Sequence, residues 1–81
     1  QAINKSLELA IAAFKKGQVI TNEVCKIVID YLDKIEGIKL EYVTIRTLDT
    51  FKEIKSIKVP FVILIAAYVG DIRLIDNYVF R

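Results

Sequence analysis

The sequence predicts an α+β fold in which an αα-hairpin is followed by a small three-stranded antiparallel sheet (α-α-β-β-β). Three observations predict it. Before Gly37 the apolar residues recur at helical spacing, after Gly37 they recur at a period of two, and Gly70-Asp71 separates two apolar runs as a hairpin turn does. Because 81 residues are too few for two hydrophobic cores, we expect one domain over residues 1–81.

Residues 1–16 predict the first helix. One face of this helix collects apolar side chains three or four positions apart, at Ile3, Leu7, Ala10, Ile11 and Phe14. Gly17 ends it, since glycine adopts the left-handed geometry of a helix end at little cost.

Residues 21–35 predict the second helix, with Thr21 as its N-cap. Apolar residues continue at helical spacing from Val24 to Ile35, and Gly37 supplies the stop. A connection as short as 17–21 favours antiparallel packing of the two helices.

The first strand begins at Ile38. Ile38, Leu40 and Tyr42 alternate with polar residues, and Val43 and Ile45 then take the opposite parity. That change indicates either a β-bulge or a strand covered on both sides. Residues 48–56 are typical of a connection with room for one helical turn.

The second strand is predicted to be central and the most buried, because Val59–Val69 is an unbroken apolar run with its single proline, Pro60, at the entrance. A two-residue Gly70-Asp71 turn then fixes the register of the third strand, residues 72–80. The predicted cross-strand pairs are Val69 with Ile72, Ala67 with Leu74, Ile65 with Asp76 and Ile63 with Tyr78.

The composition excludes several classes of function. Twelve basic and ten acidic residues leave a net charge of only +2, which argues against a nucleic-acid partner. The longest apolar run is far below the ~20 residues of a membrane span. One cysteine, Cys25, and no histidine exclude an internal disulfide and the usual zinc sites, and they fit a reducing cytoplasm. A small domain without such cross-links is expected to gain stability from a companion domain or a second copy of itself.

No catalytic residue and no metal ligand is predicted, because there is no histidine, no glycine-rich phosphate loop and no Ser or Cys with an evident base. Cys25 is interpreted as a partly buried core residue. The four tyrosines, Tyr31, Tyr42, Tyr68 and Tyr78, are interpreted as core packing rather than a platform for bases.

One polar cluster interrupts the apolar hairpin: Arg73, Asp76 and Asn77. These residues are candidates for an inter-domain or ligand contact. The alternative is structural, with Asp76 and Asn77 satisfying backbone groups and Arg73 donating to an ion pair. Asp76 falls among aliphatic neighbours, so it is expected to have a dedicated partner.

The segment AAYVGDIRLIDN, residues 66–77, resembles the carboxy-terminal signature of the pantothenate synthetase (pantoate-beta-alanine ligase) family. In that family a glycine hairpin is followed by Arg-Leu-Ile-Asp-Asn near the end of the protein, matching Gly70 and residues 73–77. YVTIRTLDTF, residues 42–51, is similar to the family's strand and turn, but Thr47 and Leu48 replace its usual Asp-Pro and Phe51 replaces its leucine. The order and length of the two helices agree as well.

The resemblance implies a cytoplasmic, ATP-dependent ligase of coenzyme A precursor synthesis, which activates pantoate as an acyl adenylate and joins it to beta-alanine. In the family the catalytic motifs, His-x-Gly-His and a Lys-Met-Ser-Lys-Ser-like segment, precede the region seen here. The chain would therefore be the carboxy-terminal cover of an absent nucleotide-binding domain, inactive alone and binding no cofactor itself. ATP and Mg²⁺ would belong to the full-length enzyme. The alternative is a structural module that self-associates and has no ligand.

Overall fold

The computed structural model describes residues 2–81 and confirms the predicted order of two helices and three strands. The elements are α1 Ala2–Lys15, α2 Thr21–Asp33, β1 Ile38–Thr47, β2 Phe61–Val69 and β3 Ile72–Phe80. All strand pairs are antiparallel, and β2 lies between β1 and β3. The fold is therefore α+β, with a helical layer on one face of a three-stranded sheet.

Helix α1 buries the face that its apolar spacing predicts. Its buried residues are Ile3, Ser6, Leu7, Ala10 and Ile11. The one polar member, Ser6, donates its hydroxyl to the carbonyl oxygen of Ile3 at 2.7 Å, which satisfies a group that burial would otherwise penalise. Near the end of the helix the Phe14 ring packs edge-on against Phe61 at 5.0 Å and Phe80 at 5.3 Å between centroids. These contacts attach the carboxyl end of α1 to the sheet.

The predicted N-cap of α2 is wrong. Ile20, in an extended conformation, occupies the cap position, and Thr21 is the first helical residue. The physical reason lies in the rest of the fold: the backbone N–H of Thr21 donates to the carbonyl oxygen of Lys55 at 2.9 Å, and Ile20 bridges Ser56. The Thr21 side chain consequently points into the protein, and its hydroxyl has no hydrogen-bond partner among the described residues.

The hairpin register is confirmed in full. Val69 pairs with Ile72, Ala67 with Leu74, Ile65 with Asp76 and Ile63 with Tyr78. Gly70 adopts a φ of 61°, which the first position of a Gly-X turn requires and which most other residues avoid.

The parity change in β1 is a β-bulge. Leu40 pairs with Ala67 and Tyr42 with the adjacent Ala66, so Glu41 is the extra residue. Beyond the bulge, Val43 and Ile45 face the helices opposite Ile65 and Ile63. The bulge thus lets both halves of the strand contribute apolar side chains to the same core.

The core lies between the helices and the sheet face turned toward them. Its fully buried members include Val28 of α2, Ile45 of β1, and Phe61, Ile63 and Ile65 of β2. The prediction that the second strand is central and the most buried is confirmed, although it begins at Phe61 rather than at residue 59.

The connection between β1 and β2 contains a turn over residues 48–50 but no helix. It then runs back along β1, where Glu53 forms a β-bridge with Arg46. Further on it passes the segment between the two helices, where the backbone N–H of Ile57 donates to the carbonyl oxygen of Val19 at 2.7 Å. The connection therefore fastens the helical layer to the edge of the sheet.

Candidate functional site

The second face of the sheet, turned away from the helices, is the candidate functional surface, and we call it the outer face. Its central row comes from β2, and β1 and β3 contribute the flanking rows. Strand register places on it Val62, Leu64, Ala66 and Tyr68, with Lys39, Tyr42, Thr44 and Arg46 on one side and Arg73, Ile75, Asn77 and Val79 on the other.

Much of the outer face is apolar, and part of it is open to solvent. Val62 and Ala66 are buried by their neighbours. Ile75, however, is 60% exposed, Val79 42% and Tyr42 39%. Isolated exposed apolar residues are ordinary, but a contiguous group with polar residues around it is typical of an interaction surface.

Two ion pairs flank the apolar part of this face. Arg73 Nε donates to Glu41 Oε1 at 2.7 Å, a contact made across β2 because the bulge releases Glu41 from the ladder. Arg46 donates to Glu53 Oε1 at 3.2 Å and to the carbonyl oxygen of Phe51 at 3.0 Å. Hydrogen bonding to Glu41, together with its charge, raises the pKa of Arg73 above its usual value. Both guanidinium groups are thus already paired with carboxylates.

The three candidate polar residues do not form one cluster. Arg73 and Asn77 lie on the outer face, whereas Asp76 lies on the helix side opposite Ile65, as alternation along a strand requires. Asp76 is half-buried, and its Oδ1 accepts from the backbone N–H of Asn77 at 2.8 Å. The partner expected for Asp76 is therefore the amide of the next residue. An inter-domain role for Arg73, Asp76 and Asn77 stays a prediction.

Two contributors to this surface were missed from sequence. Glu41 is the partner of Arg73, and Phe51 lies under the Arg46 guanidinium at 5.3 Å from the ring centroid. The parity change between Leu40 and Val43 was the available signal for Glu41, because it marks a residue that leaves the strand alternation. No local pattern indicates Phe51, which has a positive φ of 58°.

The tyrosine prediction was wrong at three positions. Tyr68 is half-buried and lies on the outer face, away from the core. Tyr31 packs against the core as expected. Tyr42 and Tyr78 are exposed at 39% and 37%, because the sheet has no second layer over Tyr42 and Tyr78 lies on the edge strand β3.

An open groove of about 1150 Å³ continues from the outer face around the edge of β1 to α2. Tyr42, Arg46 and Phe51 line one side, and Asn22, Cys25 and Ile29 line the other. Burial raises the pKa of the Cys25 thiol, so the thiol stays protonated near neutral pH and is a poor nucleophile. Glu53 and Lys55 also line the groove, and Glu53 is paired with Arg46 at 3.2 Å.

Over residues 2–81 no three His, Cys, Asp or Glu side chains are grouped as a metal site. None of the helices described is long and apolar enough to cross a bilayer.

Comparison with known families decides the relationship. A family model described as pantoate-beta-alanine ligase matches residues 1–79. The chain belongs to the pantoate-beta-alanine ligase family. It is 36% identical over 76 residues to a pantothenate synthetase of Pseudothermotoga lettingae, an alignment that covers 94% of this chain and 27% of the relative. A pantothenate synthetase of Clostridium botulinum strain Okra is 34% identical over 79 residues, which cover 98% of this chain and 28% of that protein.

A solved structure carries the same fold. The crystal structure of pantothenate synthetase from Thermus thermophilus superimposes with a TM-score of 0.84 over 95% of this chain and 28% of the other, at 17% identity. At that identity the likeness concerns the fold alone. The chain thus spans between 27% and 28% of the length of these relatives and corresponds to a carboxy-terminal part of this ligase family.

Proposed function

We propose that this chain is the carboxy-terminal domain of a pantoate-beta-alanine ligase and that it covers the active site of a preceding nucleotide-binding domain. The observation that carries the proposal is the family match over residues 1–79 in a chain that spans only 28% of a relative's length. The reaction is the condensation of pantoate with beta-alanine, driven by cleavage of ATP to AMP and diphosphate.

The reaction proceeds in two steps in this proposal. The pantoate carboxylate attacks the α-phosphorus of ATP and expels diphosphate, which gives pantoyl adenylate. The amine of beta-alanine then attacks the acyl carbon, and AMP leaves with the oxygen of the former carboxylate. In this proposal ATP and Mg²⁺ are held by the preceding part of the enzyme, and residues 2–81 contain no group of three His, Cys, Asp or Glu side chains that could hold the metal ion.

The contribution of this chain would be to exclude water. An acyl adenylate is readily hydrolysed, and a domain that closes over it limits that side reaction until the amine arrives. A helical layer packed on a sheet supplies a rigid body for such a cover, and the outer face supplies apolar surface for contact. We place the enzyme in the cytoplasm, where its substrates would be made and where a single thiol such as Cys25 remains reduced.

The test compares three polypeptides: this chain alone, the preceding portion alone, and the full-length ligase. The full-length protein is expected to release AMP only when pantoate and beta-alanine are both present, and this chain alone is expected to release none. The preceding portion alone should release AMP with pantoate but without beta-alanine, because an uncovered adenylate is open to water. A well-folded full-length protein without pantothenate formation, or activity of this chain alone, would contradict the proposal.

A further inference from the structure

We propose that the outer face of the sheet is the surface that docks against the part of the ligase preceding this chain. The inference deepens the proposed function and rests on it. The first observation is the composition of β2, which is apolar on both faces: Ile63 and Ile65 face the helices, while Val62 and Leu64 lie on the outer face. Strands of this kind are typical of sheets covered on both sides, yet the helices here cover only one.

The exposed residues of the flanking strands extend this argument. Ile75 is 60% exposed and Val79 42% exposed, and both lie beside the central row. Each would remain in water unless a second layer covers the outer face. An apolar centre with a polar rim is the usual anatomy of a protein interface.

The pairing of both arginines favours a protein surface over a polyanion, and Lys39 is the one further cation that strand register places on this face. Arg73 is paired with Glu41 at 2.7 Å, and Arg46 with Glu53 at 3.2 Å. A nucleic acid or an anionic headgroup would have to displace these carboxylates before gaining either guanidinium. A neutral, largely apolar protein surface can cover the face and leave both pairs intact at its rim.

The occupant follows from the length of the family's polypeptides. This chain spans 28% of the Clostridium botulinum relative, so most of that relative's polypeptide lies outside the matched region and is covalently attached to it. A short linkage gives an effective concentration in the millimolar range. At micromolar protein concentration, a second copy of this chain is outcompeted by the attached domain.

Thiol accessibility tests the docking directly. In a Cys25→Ala background, Ile75→Cys places a single thiol on the outer face, and Ile72→Cys places one on the opposite face of the same strand. Ile72 is a matched control for Ile75, because the two side chains are similarly exposed, at 66% and 60%. Rates of reaction with a neutral maleimide are measured in the isolated chain and in the full-length ligase.

The expected result is selective protection. If the attached domain has an effective concentration of about 1 mM and docks with a weak Kd of about 0.1 mM, the face is covered most of the time. The maleimide should then react about tenfold more slowly with the Ile75→Cys thiol in the full-length protein than in the isolated chain. Ile72→Cys should react at nearly the same rate in both polypeptides. Equal rates for Ile75→Cys in both, or protection of Ile72→Cys instead, would overturn the proposal.

Two further outcomes separate this inference from its alternatives. Protection of Ile75→Cys in the isolated chain that grows with its concentration would assign the face to a second copy and overturn docking within one polypeptide. Pantothenate formation by the unsubstituted full-length protein is assayed in parallel. An active ligase with an unprotected Ile75→Cys would refute the docking face alone, whereas an inactive protein with protection would refute the proposed function and retain the interface.

Discussion

Replacing Phe61 by leucine tests how α1 is attached to the sheet. Phe61 begins β2 and is fully buried. Its ring is edge-on to Phe14 at 5.0 Å and stacked on Phe80 at 5.2 Å between centroids. Leucine keeps the site apolar but removes the ring, so the substitution isolates the aromatic contacts and the volume they fill.

The expected loss follows from these contacts. An aromatic pair contributes about 0.5–1.5 kcal/mol beyond its burial, so two pairs contribute about 1–3 kcal/mol. The smaller side chain also leaves a cavity, which lowers stability further. The total loss from contacts and cavity should stay below about 5 kcal/mol, the upper value for truncating a buried phenylalanine to alanine. We expect Phe61→Leu to lower the free energy of unfolding by about 2–4 kcal/mol, a large part of the roughly 4–12 kcal/mol typical of 81 residues.

Urea unfolding followed by far-UV circular dichroism and tyrosine fluorescence measures this loss. With a slope of about 1 kcal/mol per molar urea for a small domain, the midpoint should fall by about 2 M or more. Phe51→Leu is the matched control, since Phe51 is 50% exposed and its ring contacts the Arg46 guanidinium. An exposed contact of that kind is worth about 0.5–1 kcal/mol. Equal losses for the two substitutions would refute the packing of α1 described here.

Three further substitutions give smaller effects with defined signs. Thr21→Val removes a buried hydroxyl without a partner and keeps the branched shape, so the urea midpoint should rise by an amount equivalent to about 1 kcal/mol. Gly70→Ala should cost about 1–2 kcal/mol by the same measurement, because its φ of 61° strains a side chain although nothing lies within 4 Å of the added Cβ. Asp49→Asn should reduce the amount by which the free energy of unfolding falls as the pH is lowered. The backbone N–H of Thr50, at 2.6 Å from Oδ1, and the Thr47 hydroxyl lower the pKa of Asp49, so its contribution is present above the unfolded-state pKa and lost as the pH falls through the folded-state value.

Each of these substitutions has a control. Thr21→Ser keeps the hydroxyl and should not stabilise, so a gain for Thr21→Ser equal to that for Thr21→Val would contradict the role given to the hydroxyl. Asp71→Ala changes the other turn residue, whose φ is not positive, and should cost less than Gly70→Ala. Asp33→Asn removes a carboxylate at the exposed end of α2. If Asp33→Asn reduced the loss of stability at acid pH as much as Asp49→Asn does, the hydrogen bond from Thr50 to Asp49 would not be the cause of that loss.

The hairpin could be predicted to the residue because its signals are local. Gly70 and Asp71 determine the turn, and alternation from there sets every pair up to Phe61 with Phe80. The helices were predictable for the same reason, since apolar spacing acts within a few residues, although α2 ends at Asp33 with Lys34 as its C-cap rather than at residue 35. Sequence parity alone does not distinguish a bulge at Glu41 from a strand buried on both faces, so only the pairing of Leu40 and Tyr42 with adjacent residues of β2 identifies the bulge.

The errors arise where distant residues compete with local preference. Thr21 has the chemistry of an N-cap, but Lys55 accepts its backbone N–H and the side chain turns inward. The ion pair between Arg73 and Glu41 joins residues 32 positions apart and could not be found by spacing. The proposed docking surface depends on which face the helices leave open, and that is known only once the layers are assembled.

The role proposed for this chain is that of a cover without a substrate site of its own. Isothermal titration of ATP, pantoate and beta-alanine into the isolated chain, beside the same titrations into the full-length ligase, tests it most directly. We expect no heat of binding for the isolated chain, and we expect the full-length protein to bind ATP and pantoate. Saturable binding of any of the three by the isolated chain at millimolar or lower concentration would contradict it.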